Sequence, residues 1–293
     1  MKRLSAFIFG FGITGVILII GCIFFFYVTS PNRYNVLVVG SDQRGSERAR
    51  SDVMFVLSIP KQGDKNPFML SIPRDTKVED AEWGLQKMTH FYALGDRPDD
   101  GKELGNIDLT KKEVENLLDI EIDATVEVTF QSFAELVDAL GGVAIEQRAD
   151  TGEQFNGVDT SALTGKTISG EEALTVIRDR FTGGRSDFNR QADERQVFQG
   201  LFNKIKKPAQ AQQLLNYFTD SAQARLHYKK VKVVRFLIGA LIARKGSVSI
   251  AGMDQESLPG QSDYIYTPDF GKELYYWVAD EEAIKNLVDK NFR

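Results

Sequence analysis

The sequence predicts an α/β domain preceded by a single N-terminal membrane helix. Three observations carry that expectation. The run Ala6 to Val28, "AFIFGFGITGVILIIGCIFFFYV", contains no charged residue. Three apolar runs between Asn35 and Ile72 each give way to charged residues, as buried strands do when they deliver a polar site to one sheet edge. From Thr110 onward, helical and alternating patterns follow one another, several of them with good N-cap residues.

The apolar run comes first. At 1.5 Å per residue it forms a helix of roughly 35 Å, enough to cross a hydrocarbon core of about 30 Å. Lys2 and Arg3 precede it, so the positive-inside rule keeps residues 1–5 cytoplasmic and the rest of the chain outside. The expected organisation is an anchor over 6–28, a linker over 29–33 and one extracytoplasmic domain over 34–293. "IIGC" at Ile19 to Cys22 is like a lipoprotein box, but "IFFFYV" follows where a mature lipoprotein would turn polar. An uncleaved anchor is therefore favoured. Cys22 is the one cysteine, so the outer domain has neither a disulfide nor a thiol nucleophile.

The strand and helix expectations follow in chain order. Asn35–Val39, Val53–Ile59 and "FMLSI" read as strands. Thr110 to Ile120 reads as a helix capped by Thr110, Thr125 to Phe130 as a strand, and Gln131 to Leu140 as a helix ended by Gly141 and Gly142. "VAIEQ" is a further strand. "SGEEALTVIRDRF" opens on a capping box at Ser169, and another helix begins near Asp187. "FLIGALIA", Phe236 to Ala243, is too short to span a membrane and is expected to be a core helix. "ADEEAIKNLVDKNF" closes the chain as an amphipathic helix.

Composition narrows the function. The chain has 293 residues and a net charge of −5, which argues against a nucleic-acid partner. There are two histidines and neither HExxH nor GxxxxGK[ST], so a zinc site and a P-loop are not expected. No nucleophile elbow is present. Arginine and aspartate instead cluster at loop positions. "RDRFTGGRSDFNRQADERQ", Arg178 to Gln196, holds five arginines and no lysine. Asp42, Arg44, Arg48, Arg50 and Asp52 surround the first loop, and Arg74 and Asp75 follow the third strand. Arginine binds carboxylate and phosphate bidentately, whereas lysine acts as a point charge. A convergent cluster of this kind suits a polyanionic phosphate, with a hard divalent ion on the carboxylates. Each loop singly could also be a solvated, salt-bridged surface, and His90 reads as a structural hydrogen-bonder.

The ordered motifs "NVLVVGSDQRG", "RSDVMFVLSI", "MLSIPRDT", "KMTHFYALG", "LLDIEIDATVEVTFQSFAELVDALGGVAI", "LTGKTISGEEALTVIRDRF" and "SDFNRQADERQ" together resemble the LytR-CpsA-Psr family of bacterial cell-envelope proteins, from Asn35 to about Lys204. The resemblance implies a central mixed β-sheet flanked by helices. It implies a phosphotransferase that moves a glycopolymer, of teichoic acid or capsular polysaccharide type, from a polyprenyl-pyrophosphate carrier to peptidoglycan. A pyrophosphatase or a non-catalytic, carrier-binding envelope regulator are the alternatives. It further implies an apolar tunnel for the prenyl chain, and Mg2+ or Mn2+ beside the pyrophosphate. Carried over by position, Asp42 and Asp52 are the metal-side carboxylates. Arg44, Arg50, Arg74, Lys87, Arg178, Arg180, Arg190 and Arg195 are the pyrophosphate-binding cations, and Arg74, Asp75 and Arg190 the catalytic residues. Either Asp75 or Asp52 would take the acceptor proton. Two departures stand out. Thr89 occupies a position where the family usually has asparagine. Arg190 and Arg195 are five apart, about 140° around a regular helix, so either the helix begins later or Arg195 has left the site.

Overall fold

A computed structural model describes residues 25, 27–42, 49–95, 104–145, 163–179, 187–204, 208–243, 252–267 and 270–293. The expected anchor over 6–28 lies almost wholly outside them. Among the described residues no helix is long and apolar enough to cross a membrane.

The elements in chain order are β1 (Arg33–Ser41), β2 (Ser51–Pro60), β3 (Phe68–Ser71), β4 (Lys77–Asp80), β5 (Gly84–Lys87) and a 3-10 turn, Met88–His90. Next come α1 (Ile107–Leu118), β6 (Ala124–Thr129), α2 (Phe130–Ala139), β7 (Val143–Ala144), β8 (Thr167–Ile168) and α3 (Gly170–Arg178). The remainder is α4 (Asp187–Lys204), α5 (Pro208–Asp220), β9 (Ala224–Tyr228), α6 (Lys230–Ala243), β10 (Asp254–Ser257), β11 (Gly260–Thr267), β12 (Lys272–Ala279) and α7 (Glu281–Asn291).

Six strands form one mixed sheet in the order β10-β3-β2-β1-β6-β9. β1 runs parallel to β6 and β3 parallel to β10, while the β1–β2, β2–β3 and β6–β9 pairs are antiparallel. β1 is apolar at successive positions because both its faces are covered. Leu37 and Val39 face a core shared with α1, α7 and the 3-10 turn. Val36 and Val38 face the opposite side, towards Phe198 of α4. A second large core joins α2, α3, α4 and α5 on that side. The expected central sheet with flanking helices is therefore present.

The helix ends follow local chemistry. Ser169 and Glu172 form the expected capping box on α3, and Thr129 and Ser132 form another on α2. Gly141 and Gly142 take φ of 77° and 80° after α2, the left-handed backbone that glycine adopts without a steric penalty. α1 differs from expectation. It begins at Ile107, because Asn106 accepts the Leu109 N–H and caps it a turn before Thr110. α6 is also a correction. Phe236, Gly239 and Ala240 are buried, but Leu237, Leu241 and Ile242 are exposed. One face of this helix belongs to the core and the other does not.

Candidate active site

The ends of β1 and β3, the start of β2 and the segment Pro73 to His90 meet at one edge of the sheet. The local cause is a β-bulge. Gly40 pairs with Val53 but Ser41 pairs with Ser51, so Asp52 is an extra residue on β2. A bulge kinks its strand and re-aims a side chain. Asp52 meets Arg74, whose Nη1 donates to Asp52 Oδ1 at 2.7 Å. Arg74 Nε lies 3.4 Å from Asp75 Oδ2, and Lys87 Nζ lies 2.6 Å from Asp75 Oδ1. The result is a half-buried chain of alternating charge, Asp52–Arg74–Asp75–Lys87. Such pairs are stronger than exposed ones because less water screens them.

Packing fixes this chain from below. Lys87 Nζ sits 5.4 Å from the centre of the Tyr276 ring. The Trp277 N–H donates to the Asp75 carbonyl at 2.9 Å, so β12 braces the loop that carries Arg74 and Asp75. Thr89 is buried. Its Oγ1 donates to the Ser51 carbonyl at 2.7 Å, and its N–H donates to the Arg74 carbonyl at 3.0 Å. Thr89 therefore ties the start of β2 to the Arg74 loop. His90 Nδ1 lies 2.8 Å from Gln86 Oε1. Burial, together with the Arg50 and Lys87 cations, pushes the His90 pKa down to about 4. The imidazole is neutral at neutral pH.

The other expected residues are distributed as follows. Asp42 is exposed directly after β1, and Arg50 is exposed just before β2. Arg178 ends α3 and is exposed, with its guanidinium 5.2 Å from the Phe130 ring at the start of α2. Arg44 and Arg180, and also Arg48 and Arg185, lie outside the described residues. α4 begins at Asp187, so Arg190 is in its first turns and a later helix start is excluded; Arg195 nonetheless stays at the sheet edge, so the spacing has not carried it away from the strand ends. Arg195 lies on the same helix and reaches the ends of two strands. Its Nη1 is 3.0 Å from Ser257 Oγ and 3.5 Å from Ser71 Oγ. Burial lowers its pKa, and the Glu194 carboxylate partly offsets this.

Sequence reading missed Ser71, Ser257 and Tyr276. Ser257 and Tyr276 come from a stretch with no recognisable motif, and only the folded sheet brings them here. Among the described residues no group of three or more His, Cys, Asp or Glu side chains is arranged for a metal ion. Asp42 and Asp52 are nonetheless brought to neighbouring strand ends by the bulge. Two carboxylates suit Mg2+, which commonly takes one or two from protein and the rest of its ligands from phosphate and water. The donor set fits on that condition.

Beyond Arg195 the site becomes apolar. A cavity of about 400 Å³ lies between the sheet and α2, α4, α5 and α6. Tyr34, Val36 and Val38 line it along β1, and Phe198 and Leu201 line it from α4. Arg195 and Phe198 are three apart on one helix, so a cationic head position and an apolar wall sit side by side.

Residues 26–293 match the model of the LytR_cpsA_psr family. A polyisoprenyl-teichoic acid–peptidoglycan teichoic acid transferase, TagU of Bacillus licheniformis, is 34% identical over 267 residues, covering 89% of this chain and 78% of the relative. The crystal structure of B. subtilis TagU superposes with a TM-score of 0.59 at 25% identity, covering 89% of this chain and 95% of that one. A structure of TagT bound to LIIa-WTA superposes with a TM-score of 0.65 at 25% identity, covering 89% of both chains.

Proposed function

The chain belongs to the LytR-CpsA-Psr family, and from that premise we propose that it is a membrane-anchored phosphotransferase. It moves a glycopolymer of teichoic acid type from a polyprenyl-pyrophosphate carrier to peptidoglycan. The observation that carries this reading is the junction on α4. Arg195 reaches the ends of β3 and β10, where Ser71 lies three residues before Arg74, and Phe198 and Leu201 line the adjoining apolar cavity. That arrangement suits an amphiphile with a polyanionic head and a long apolar tail. The relatives' names point to the same pair of substrates.

In the proposed reaction an acceptor sugar hydroxyl attacks the phosphorus attached to the glycopolymer. A new P–O bond forms, the P–O bond to polyprenyl phosphate breaks, and polyprenyl phosphate leaves. The hydroxyl proton passes to a carboxylate. Asp75 and Asp52 both lie on the ionic chain, each already held by a cation. Arg74, Arg195 and Lys87 bear on the pyrophosphate oxygens, with Arg50 and Arg190 from the flanking segments. Donors aimed at developing charge act more strongly in a half-buried site than in water. Asp42 and Asp52 would hold Mg2+ or Mn2+, which when bound neutralises pyrophosphate charge. Residues 6–28 anchor the chain, with the N-terminus cytoplasmic and the domain outside.

The test uses the full chain with a polyprenyl-pyrophosphate-linked oligosaccharide, peptidoglycan fragments and Mg2+, with products read by mass spectrometry. A phosphodiester joining donor to acceptor is expected. Arg74→Ala and Arg190→Ala should each lower its rate by about 10²–10³-fold. Release of the glycan phosphate without an adduct would replace this reading with a pyrophosphatase, and tight binding without turnover would replace it with a regulator.

A further inference from the structure

We propose that α6 is an interfacial helix seated in the outer leaflet, so that the apolar cavity opens into lipid rather than water. The proposal rests on the anchored reading for where the membrane lies and which side of it the domain occupies.

The helix carries the first observation. Val231, Val234, Leu237, Leu241 and Ile242 are between 38% and 70% exposed. At 100° per residue they fall within an arc of about 140°, opposite the buried Phe236, Gly239 and Ala240. Contiguous exposed apolar residues on a helix mark an interaction face. α6 has 14 residues, about 21 Å of helix, which is too short to span a bilayer but suited to lying along one.

Its neighbours identify the occupant. Gly239 packs so closely on Ser30 that a Cβ there would lie 2.1 Å from Ser30 Oγ. Arg235 donates to the Thr29 carbonyl, and Lys61 Nζ lies 3.3 Å from the Ser30 carbonyl. α6 is therefore fixed against the point where the apolar N-terminal run ends. Phe25 and Val28, in the last turns of that run, are 61% and 59% exposed. Two apolar surfaces thus sit beside each other where the chain meets the expected membrane.

Charge agrees. Lys229 and Lys230 are exposed at the start of α6, and its first turn holds no acidic residue. Cations are disfavoured at a helix N-terminus. Anionic headgroups at the bilayer surface would compensate them.

The cavity completes the argument. Val233 of α6 and Leu215 of α5 both line it, and Leu215 is 40% exposed, which places the rim between these helices. From that rim the lining runs along β1 from Tyr34 to Val38, towards the strand end that carries Asp42. With α6 in the leaflet, an isoprenoid tail passes from lipid to protein without crossing water.

The test uses the full chain in a Cys22→Ser background, reconstituted into phosphatidylglycerol-containing vesicles. An environment-sensitive fluorophore is placed at Leu237→Cys or Leu241→Cys, with Lys285→Cys on α7 as the control. Brominated lipid is expected to quench the α6 labels several-fold more than the control. Equal quenching overturns the proposal. So does a spectral shift that ignores bromolipid and disappears on dilution, since a second copy of the chain would then cover the face. A Leu237→Glu, Leu241→Glu variant with unchanged melting should lose about tenfold in transfer from a vesicle-borne carrier and keep its rate in detergent. Unequal quenching without transferase activity would retain the membrane-bound helix and reject the enzymatic reading alone.

Discussion

Thr89 acts on the site through backbone rather than through the charged side chains. Its hydroxyl faces the Ser51 carbonyl at 2.7 Å, so it holds the backbone beside Asp52 and does not point at the charged edge. The sequence singled out position 89 as an expected departure from asparagine, but the contact that Thr89 makes was not legible, because Ser51 lies 38 residues away. The next residue, His90, gives a pH signature. Its folded pKa of about 4 lies below the ordinary 6.5. Between those values the unfolded chain takes up a proton that the folded chain refuses, so stability falls as pH drops from 6.5 towards 4. The full contribution is present above pH 6.5 and absent below about 4. After discounting for partial exposure it amounts to about 2 kcal/mol. Thermal melts between pH 4.5 and 7.5 should therefore show a smaller acid loss in His90→Gln than in the wild type. An identical slope in both proteins would reject the assignment.

Among the elements, β1, β2 and β3 were legible because both faces of each are buried and their sequences are continuous apolar runs. The β11–β12 hairpin was not. Its first strand, "GQSDYIYT", is mostly exposed, with Tyr264 and Tyr266 turned to solvent, so no hydrophobic period announces it. Yet this hairpin holds the candidate site in place. Tyr276 is buried beneath Lys87, and Trp277 pairs with the Asp75 backbone. Tyr276→Phe keeps the ring and loses the contact with Thr267 Oγ1 at 3.1 Å, a cost of about 1 kcal/mol. Its transfer rate should match the wild type. Tyr276→Leu removes the ring under Lys87 and should slow transfer about tenfold at a temperature where it remains folded. Equal rates for the two variants would mean that the hairpin is only a lid on the core.

Across the whole molecule the six-stranded sheet is shared by two cores, one on each face. Neither half can unfold without exposing the other. Arg225 on β9 donates to both oxygens of Glu127 on β6, at 2.7 and 2.9 Å, and Glu127 is fully buried. Arg225→Leu removes the guanidinium that both oxygens of this buried carboxylate accept from, a loss of about 3–5 kcal/mol. Calorimetry should show one transition lowered by about 10 °C; two separate transitions would show that the cores are independent. The polar edge could be anticipated from arginine and aspartate at strand ends. The cavity could not be traced from composition alone, because its walls come from β1, α2, α4, α5 and α6 together.

The short passage from Ser30 into β1 fixes more than a location. Lys61 and Arg235 grip the carbonyls of Thr29 and Ser30, and β1 starts at Arg33. Nine residues of strand then separate that grip from the reactive edge, about 30 Å at 3.3 Å per residue. There is no leash. With residues 6–28 as the proposed anchor, a domain mounted in this way would work at one altitude above its bilayer, as a lathe tool works at one height above its bed. On the proposed function, the layer of cell wall within its reach would be the layer at that height, whatever polymer it carries.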